Sequence, residues 1–438
     1  MSRYPASHPE ALDALFAAPT LHQLAADLQP LAGRARRHPL GMHLAYAAMA
    51  RLFGSANRLD AALTSGSWPR IVERYNRGVA EHGGPRCGPH LPPLTAKLHR
   101  YARDWLSCDD VLDVYRHAFT TRAVELARQL GLLNPDGPGS RTRPHPSRVI
   151  SGDGTILRPL YRPEAEIARH DPTVALHHRH DGTHWGNVLV TCSVRDHTPY
   201  RRVLLGIDRV HEPGGEAATA LALMRRVHQH AGDGIIAAVY DGALRGTHHQ
   251  QLMRDLGIYV INAVHPIAVD EDEQRRWRAI PLGTWTHQPD GRPCRHTLAI
   301  HNGSVHDAAF DDAGQPLLSD PLPRHQVRRY RNRAGRYRFS LGVTVTCPRQ
   351  HFVAWMSPHP QRGDTTHRRP DQLRLLPASD PDYDRLYGLR NDSEAINAEY
   401  KRTLPHRRAP ARGWQRQLLD FHAWATLNNT LAWWRHSR

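Results

Sequence analysis

The amino-acid sequence predicts a mixed α/β protein, built from an all-α N-terminal domain, a mixed sheet with flanking helices, a β-rich insertion and a helical C-terminal part. Three observations carry this. Apolar residues recur at helical spacing through residues 1–133. Between 149 and 267, short β-branched and aliphatic runs alternate with helical periods. From 268 to 380 the pattern becomes alternating segments broken by Asp-Gly turns. The expected organisation is a helical domain over 1–133, a linker over 134–148, a first part of the core over 149–267, the insertion over 268–380 and a helical end over 381–438.

Each element has a local reason. Leu12, Leu15 and Phe16, then Leu21, Leu24 and Leu28, mark helical faces. Further helices are expected over His43–Phe53, Arg58–Leu63, Trp68–Tyr75, Leu94–Leu106 and Val111–Leu132, separated by breaks such as Gly54-Ser55 and Gly83-Gly84-Pro85. Such a unit docks on DNA or serves as a plain dimerisation bundle. Residues 134–148 read as a linker because they are rich in Pro, Gly, Ser and Arg. Strands are expected at Val149-Ile150, Trp185–Val194, Arg202–Ile207, Gly234–Tyr240 and Tyr259–Val264, with helices at Glu216–His230 and Thr247–Leu256. That order gives a mixed sheet with helices on both faces. Thr297–His301, Tyr337–Thr346 and Phe352–Met356 read as hairpin strands.

Composition narrows the partners. Lys and Arg total 58 against 42 Asp and Glu, a formal net charge of +16, with 32 His besides. The excess favours a polyanion, most commonly nucleic acid, although codon bias toward Arg, His, Pro and Ala accounts for part of it. The five Cys are scattered, none two to four apart, so zinc-finger spacing is absent and reduced thiols are expected. Without a signal-like N-terminus or an apolar run of membrane length, the expectation is a soluble intracellular protein with no membrane partner.

Carboxylates carry the chemistry. Asp153 in Gly152-Asp153-Gly154-Thr155 and Asp241 in Tyr240-Asp241-Gly242 each follow a short apolar strand, where α/β sheets present side chains to ligands. A single Asp-Gly is more often a turn. The C-terminal frame is sharper: Tyr387, Arg390, Glu394 and Lys401 stand at Tyr-x2-Arg-x3-Glu-x6-Lys. On one helix at about 100° per residue, Arg390, Glu394 and Lys401 fall at about −60°, −20° and −40° from Tyr387. Leu389, Ile396, Tyr400 and Leu404 take the opposite side. Glu399 lies about 140° from Glu394 and reads as an exposed side chain. The turn-formers Asn391-Asp392-Ser393 allow the helix to begin only near Ser393.

Two Asp followed by a Glu in this frame resembles the DDE transposases of bacterial insertion sequences, in the group that the frame defines. The approach Gly131-Leu132-Leu133, the linker, Ser151-Gly152-Asp153-Gly154-Thr155 and a helical N-terminus with Trp68 are similar to that group as well. So is the gap from Asp241 to Glu394, 394 − 241 = 153 positions, where the group carries a β-rich insertion. The resemblance implies an RNase H-like core in which Asp153, Asp241 and Glu394 are catalytic and hold two Mg²⁺ or Mn²⁺ ions. It implies a transposase that cuts the terminal inverted repeats of an insertion sequence and joins the 3′ ends to target DNA. Arg390 and Lys401 would clamp phosphates and Tyr387 would contact the backbone at the cut end. The implied partner is double-stranded DNA, both inverted repeats and target, met by a homodimer in a synaptic complex. The implied place is the bacterial cytoplasm, at the nucleoid. A catalytically inactive or domesticated DNA-binding relative, or a metal-dependent nuclease, are the alternatives.

Other features weigh less. His177-His178-Arg179-His180, with Asp181 and His184, is contiguous rather than spaced for a metal and reads as a basic DNA-facing loop. Glu164 and Glu166 fall in an expected surface loop. The Arg and Tyr of Arg324–Arg338 fit either backbone contact or a charged hairpin edge. Trp433-Trp434 are expected to be buried, and His406-Arg407-Arg408 to form a phosphate-contacting loop.

Overall fold

A computed structural model describes residues 8–32, 37–160, 171–179, 182–198, 201–264, 279–311, 316–361 and 368–437. The fold is mixed α/β with several sheets, one of them mixed. The helices are α1 (His8–Ala17), α2 (Pro19–Leu28), α3 (Leu40–Leu52), α4 (Ala56–Ala62), α5 (Trp68–His82), α6 (Ala96–Leu106), α7 (Asp109–Gln129), α8 (Glu216–Ala231), α9 (Gly246–Gln251), α10 (Arg368–Gln372), α11 (Tyr383–Tyr387), α12 (Arg390–Arg402) and α13 (Trp414–His436). The strands are β1 (Val149–Leu157), β2 (Ala175–Arg179), β3 (Gly182–Val194), β4 (Val203–Arg209), β5 (Ala237–Val239), β6 (Tyr259–Ile261), β7 (Ile280–His287), β8 (Cys294–His301), β9 (Ser304–Phe310), β10 (Pro316–Leu318), β11 (Arg324–Arg331), β12 (Tyr337–Val345) and β13 (Phe352–Met356).

The chain divides into two compact units that follow packing rather than chain order. Residues 1–134, 152–232 and 392–438 form one, and residues 135–151 and 233–391 form the other. The N-terminal helices share their unit with strands of the mixed sheet and with the C-terminal helices, and residues 135–151 belong to the second unit. Strand β1 and helix α12 each contribute residues to both units.

In the first unit, α13 packs against α3, α1, α7 and β4. Helix α13 is buried over most of its length, with Gln417, His422, Thr426, Asn429 and Thr430 buried among its apolar residues. Strand β3 pairs antiparallel with β2 through its first residues and with β4 through its last. The side chain of Asn429 in α13 completes β4: its Oδ1 accepts from the Leu204 N–H at 2.9 Å, and its Nδ2 donates to the Leu204 carbonyl at 2.9 Å. A strand edge that would otherwise be unpaired is satisfied by one amide. Asp208 of β4 is buried and neutralised by Arg116 of α7 at 2.8 Å and Arg226 of α8 at 2.9 Å.

In the second unit, β1 enters parallel to β5, and β5 is parallel to β6. Two antiparallel sheets follow, ordered β10-β9-β8-β7 and β11-β12-β13. Their inner faces share one core with the β5–β6 strands, including Ile300, Phe339, Leu341, Val343 and Leu376. The expected linker is stitched into this unit. Arg148 is buried and donates to the carbonyls of Gly137 at 3.1 Å and Asp233 at 2.9 Å, and Thr142 Oγ1 accepts from Val327 N–H at 2.9 Å. Composition signals the absence of regular structure there, not the absence of packing.

The insertion is a set of hairpins, as the alternating segments indicate. Arg324–Arg338 spans edge strand β11 and the turn into β12, with Arg328 over the Trp355 ring at 3.8 Å and Arg329 over Tyr337 at 4.4 Å. Ala175–Arg179 is strand β2 and not a loop. His180, Asp181, Glu164 and Glu166 lie outside the described residues. Among the described residues, no helix is long and apolar enough to cross a membrane.

Candidate active site

Strand β1 runs through Ser151-Gly152-Asp153-Gly154-Thr155 with Asp153 half-buried and its neighbours buried. Asp153 Oδ2 accepts from Asn397 Nδ2 at 3.0 Å, and the Asp153 carbonyl accepts from Thr191 Oγ1 at 3.4 Å. Glu216 opens α8 just beyond Gly214-Gly215, where the N-terminal end of the helix dipole favours a negative charge. Its carboxylate reaches β1: carboxylate oxygens of Asp153 and Glu216 lie within 4.8 Å of each other. A Cβ on residue 154 would stand 2.3 Å from Glu216 Oε1, so the Gly after Asp153 is what lets the second acid approach. Two carboxylates this close repel unless a cation sits between them, and their hard oxygen donors suit Mg²⁺ or Mn²⁺.

In the second unit, Asp241 follows β5 by two residues. Its Oδ1 accepts from Ala243 N–H at 2.9 Å, and Leu244 N–H closes the turn on its carbonyl at 3.3 Å. Asn262, just past β6, braces that turn by donating to the Leu244 carbonyl at 3.1 Å. Asp241 is therefore a turn residue, as the Asp-Gly pair indicates, and its half-exposed carboxylate is held in one orientation.

The Tyr-Arg-Glu-Lys frame does not lie on one helix. Tyr387 ends α11, a turn at Gly388-Leu389 intervenes, and α12 begins at Arg390. Tyr387 stacks on Tyr383 with ring centroids 5.1 Å apart. Arg390, Glu394 and Lys401 do share α12, with Glu394 exposed and the other two half-buried. The apolar side is as expected: Leu389, Ile396, Tyr400 and Leu404 are buried, and Tyr400 stacks on Phe421 at 3.9 Å.

Glu399 overturns the expectation of an exposed side chain. It is buried, and its Oε2 accepts from Arg202 Nη2 at 2.7 Å. Arg195 holds Asp392 at the start of the same helix. Rotation by about 140° away from Glu394 leads into the unit rather than into solvent. Asn397, on α12 one turn beyond Glu394, meets Asp153. Among the described residues, Glu394 is not one of the acids gathered with Asp153, whereas Glu216 is.

Sequence reasoning passed over Glu216 and Asn397. An acid in the first turn of a helix is commonplace, so Glu216 carried no local signal beyond the Gly214-Gly215 break before it. Asn397 lies between Glu394 and Lys401 in the frame and was legible only as a member of that helix face. No protein-family model matches the chain, and no curated protein matches it.

Proposed function

We propose that the protein is a metal-dependent DNA transposase with an RNase H-like core, in which Asp153 and Asp241 serve one metal site. The supporting observation is positional. Strands β1 and β5 run parallel with Ser151 paired to Val239, and each chain continues two residues to its Asp. The Tyr387, Arg390, Glu394 and Lys401 spacing and the +16 charge agree with this reading.

In this reading Asp153, Asp241 and an acid from a helix hold two Mg²⁺ or Mn²⁺ ions. Bound there, the ions would supply a more acidic attacking water or 3′-hydroxyl and charge stabilisation at the leaving oxygen. Asn397 keeps Asp153 in place by donating to Oδ2. Arg390 and Lys401, on one side of α12, neutralise the DNA phosphates, and Tyr387 meets the strand end. The helix acid is Glu394 by the frame. The approach of Glu216 to Asp153 favours a second reading, in which Glu216 is a ligand and Glu394 acts nearer the DNA.

The test is metal-dependent nicking of DNA carrying the ends that flank the gene. Wild type should cut with Mg²⁺ or Mn²⁺ and not after chelation, and Asp153→Asn and Asp241→Asn should bind the ends without cutting. Cutting that survives in either Asn variant, or no cutting by wild type, would overturn the proposal.

A further inference from the structure

We propose that His287, His296 and Cys347 form a binding site for a zinc-class transition metal, which ties the two antiparallel sheets of the β-rich insertion together. One ring nitrogen from each His and the Cys347 sulfur all lie within 4.8 Å of one another. Tetrahedral zinc with bonds of about 2.0–2.3 Å sets its ligands roughly 3.5 Å apart, so only a small inward adjustment separates this cluster from a closed site.

Each ligand is prepared independently. Cys347 is buried in the loop between β12 and β13, at Cys347-Pro348-Arg349-Gln350. Its sulfur faces the two imidazoles, within 4.8 Å of a nitrogen of each. The thiolate is the form that binds metal. His296 on β8 donates from Nδ1 to Asp307 Oδ2 at 2.6 Å, which fixes the ring and leaves Nε2 as the nitrogen available to an ion. His287, the last residue of β7, has an Nε2 shut off from solvent without a hydrogen-bond partner. A buried polar atom in that state needs an explanation, and a metal ion provides one. Phe352 stacks on the His287 ring at 4.3 Å and stands 5.4 Å from His296, so one side of the cluster is apolar.

The two His come from the β7–β8 hairpin and the Cys from the loop after β12, in the other sheet. An ion held by all three would cross-link chain segments about fifty residues apart and stabilise the insertion by closing that loop. Three protein ligands leave a fourth position for water. Mixed nitrogen and sulfur donors favour zinc over the Mg²⁺ or Mn²⁺ suited to carboxylates. Cys294, directly opposite His287 in the strand register, is outside the cluster and is a built-in control.

The experiment is cobalt(II) titration of the chelator-stripped full chain, followed by absorption spectroscopy, with bound metal measured separately in the protein as purified. A thiolate-to-cobalt charge-transfer band with tetrahedral visible bands is expected, saturating at one ion. The Cys347→Ser variant should lose the charge-transfer band and Cys294→Ser should keep it. Added zinc should raise the melting temperature of wild type and Cys294→Ser. Wild type without the band, or a band that survives in Cys347→Ser, overturns the site. Should Cys347→Ser fail to fold, replacing His296 by Gln serves instead, and the wild-type spectrum alone still decides. The carboxylate site has no sulfur, so its ions cannot produce the band.

Discussion

Arg202 Nη2 and Glu399 Oε2 meet at 2.7 Å in an ion pair whose two side chains are both less than a tenth exposed. With Arg195 on Asp392, this pair fixes the rotation of α12 and thereby aims Asn397 at Asp153. The acid five residues beyond Glu394 is a structural anchor.

Replacing Glu399 with Ala should accordingly destabilise the protein by roughly 3–5 kcal/mol, since Arg202 would be left buried without its partner. Urea unfolding of the variant against wild type measures this. An unchanged midpoint would mean that the pair contributes nothing.

Glu394 and Glu216 separate by activity rather than stability. Glu394 is exposed, so Glu394→Gln should unfold like wild type. If Glu394 is the metal ligand of the proposed site, its loss should lower end cleavage on the order of a thousandfold. Glu216→Gln should lower cleavage comparably only if Glu216 also reaches an ion. Parallel cleavage assays decide between them, and full activity in both variants would remove the helix acid from the mechanism.

Gly154→Ala tests the approach of Glu216 to β1. The added Cβ would meet the Glu216 carboxylate at 2.3 Å, and that flexible end can swing away. Near-normal stability with weakened metal-dependent cleavage is the expected outcome. Cleavage at the wild-type rate would show that the Asp153–Glu216 approach is dispensable.

Asn429→Ala should cost about 1–3 kcal/mol for each of the two Leu204 backbone groups it strands. Hydrogen exchange should report the loss locally, as faster exchange of the Leu204 amide. An amide still fully protected would argue against the clamp.

His422 gives the protein an acid-sensitive component. Burial among Tyr115, Phe119 and the α13 backbone pushes its imidazole from 6.5 down to about 3. Between those values the unfolded chain binds a proton that the folded chain does not. The contribution is fully present above pH 6.5 and declines by about 1.4 kcal/mol per pH unit as the solution is acidified toward pH 3. Urea midpoints from neutral pH down to about pH 5 should fall less steeply in His422→Leu than in wild type. Identical slopes would refute the assignment.

Much of the local structure was legible in the sequence, because it follows from chain-neighbour rules. Helical spacing placed α1 to α3 and α5 to α7, and apolar runs placed β1 and β3 to β6 near their observed positions. The apolar face of α12 was also legible, since a 3.6-residue period fixes which side chains share a side. Periodicity missed β2, β7, β9 and β10: His, Arg, Thr and Ser in the first three hide the alternation of a strand with one wet face, and β10 is only three residues long. It joined Tyr387 to α12 because the turn at Gly388-Leu389 nearly continues the helix.

The sequence by itself determined the basic charge, the Asp-Gly pairs at Asp153 and Asp241 and the spacing of Tyr387, Arg390, Glu394 and Lys401, but Asp153 lies inside β1 rather than past its end. Tertiary structure alone decided which polar residues meet. Glu216 approaches Asp153 across 63 positions, Arg202 buries Glu399 across 197, and Cys347 joins His287 and His296 from another sheet. Periodicity tells a residue which side of its own element it occupies. It carries no information about what packs there, because burial and pairing are properties of segments distant in sequence that only the folded chain brings together.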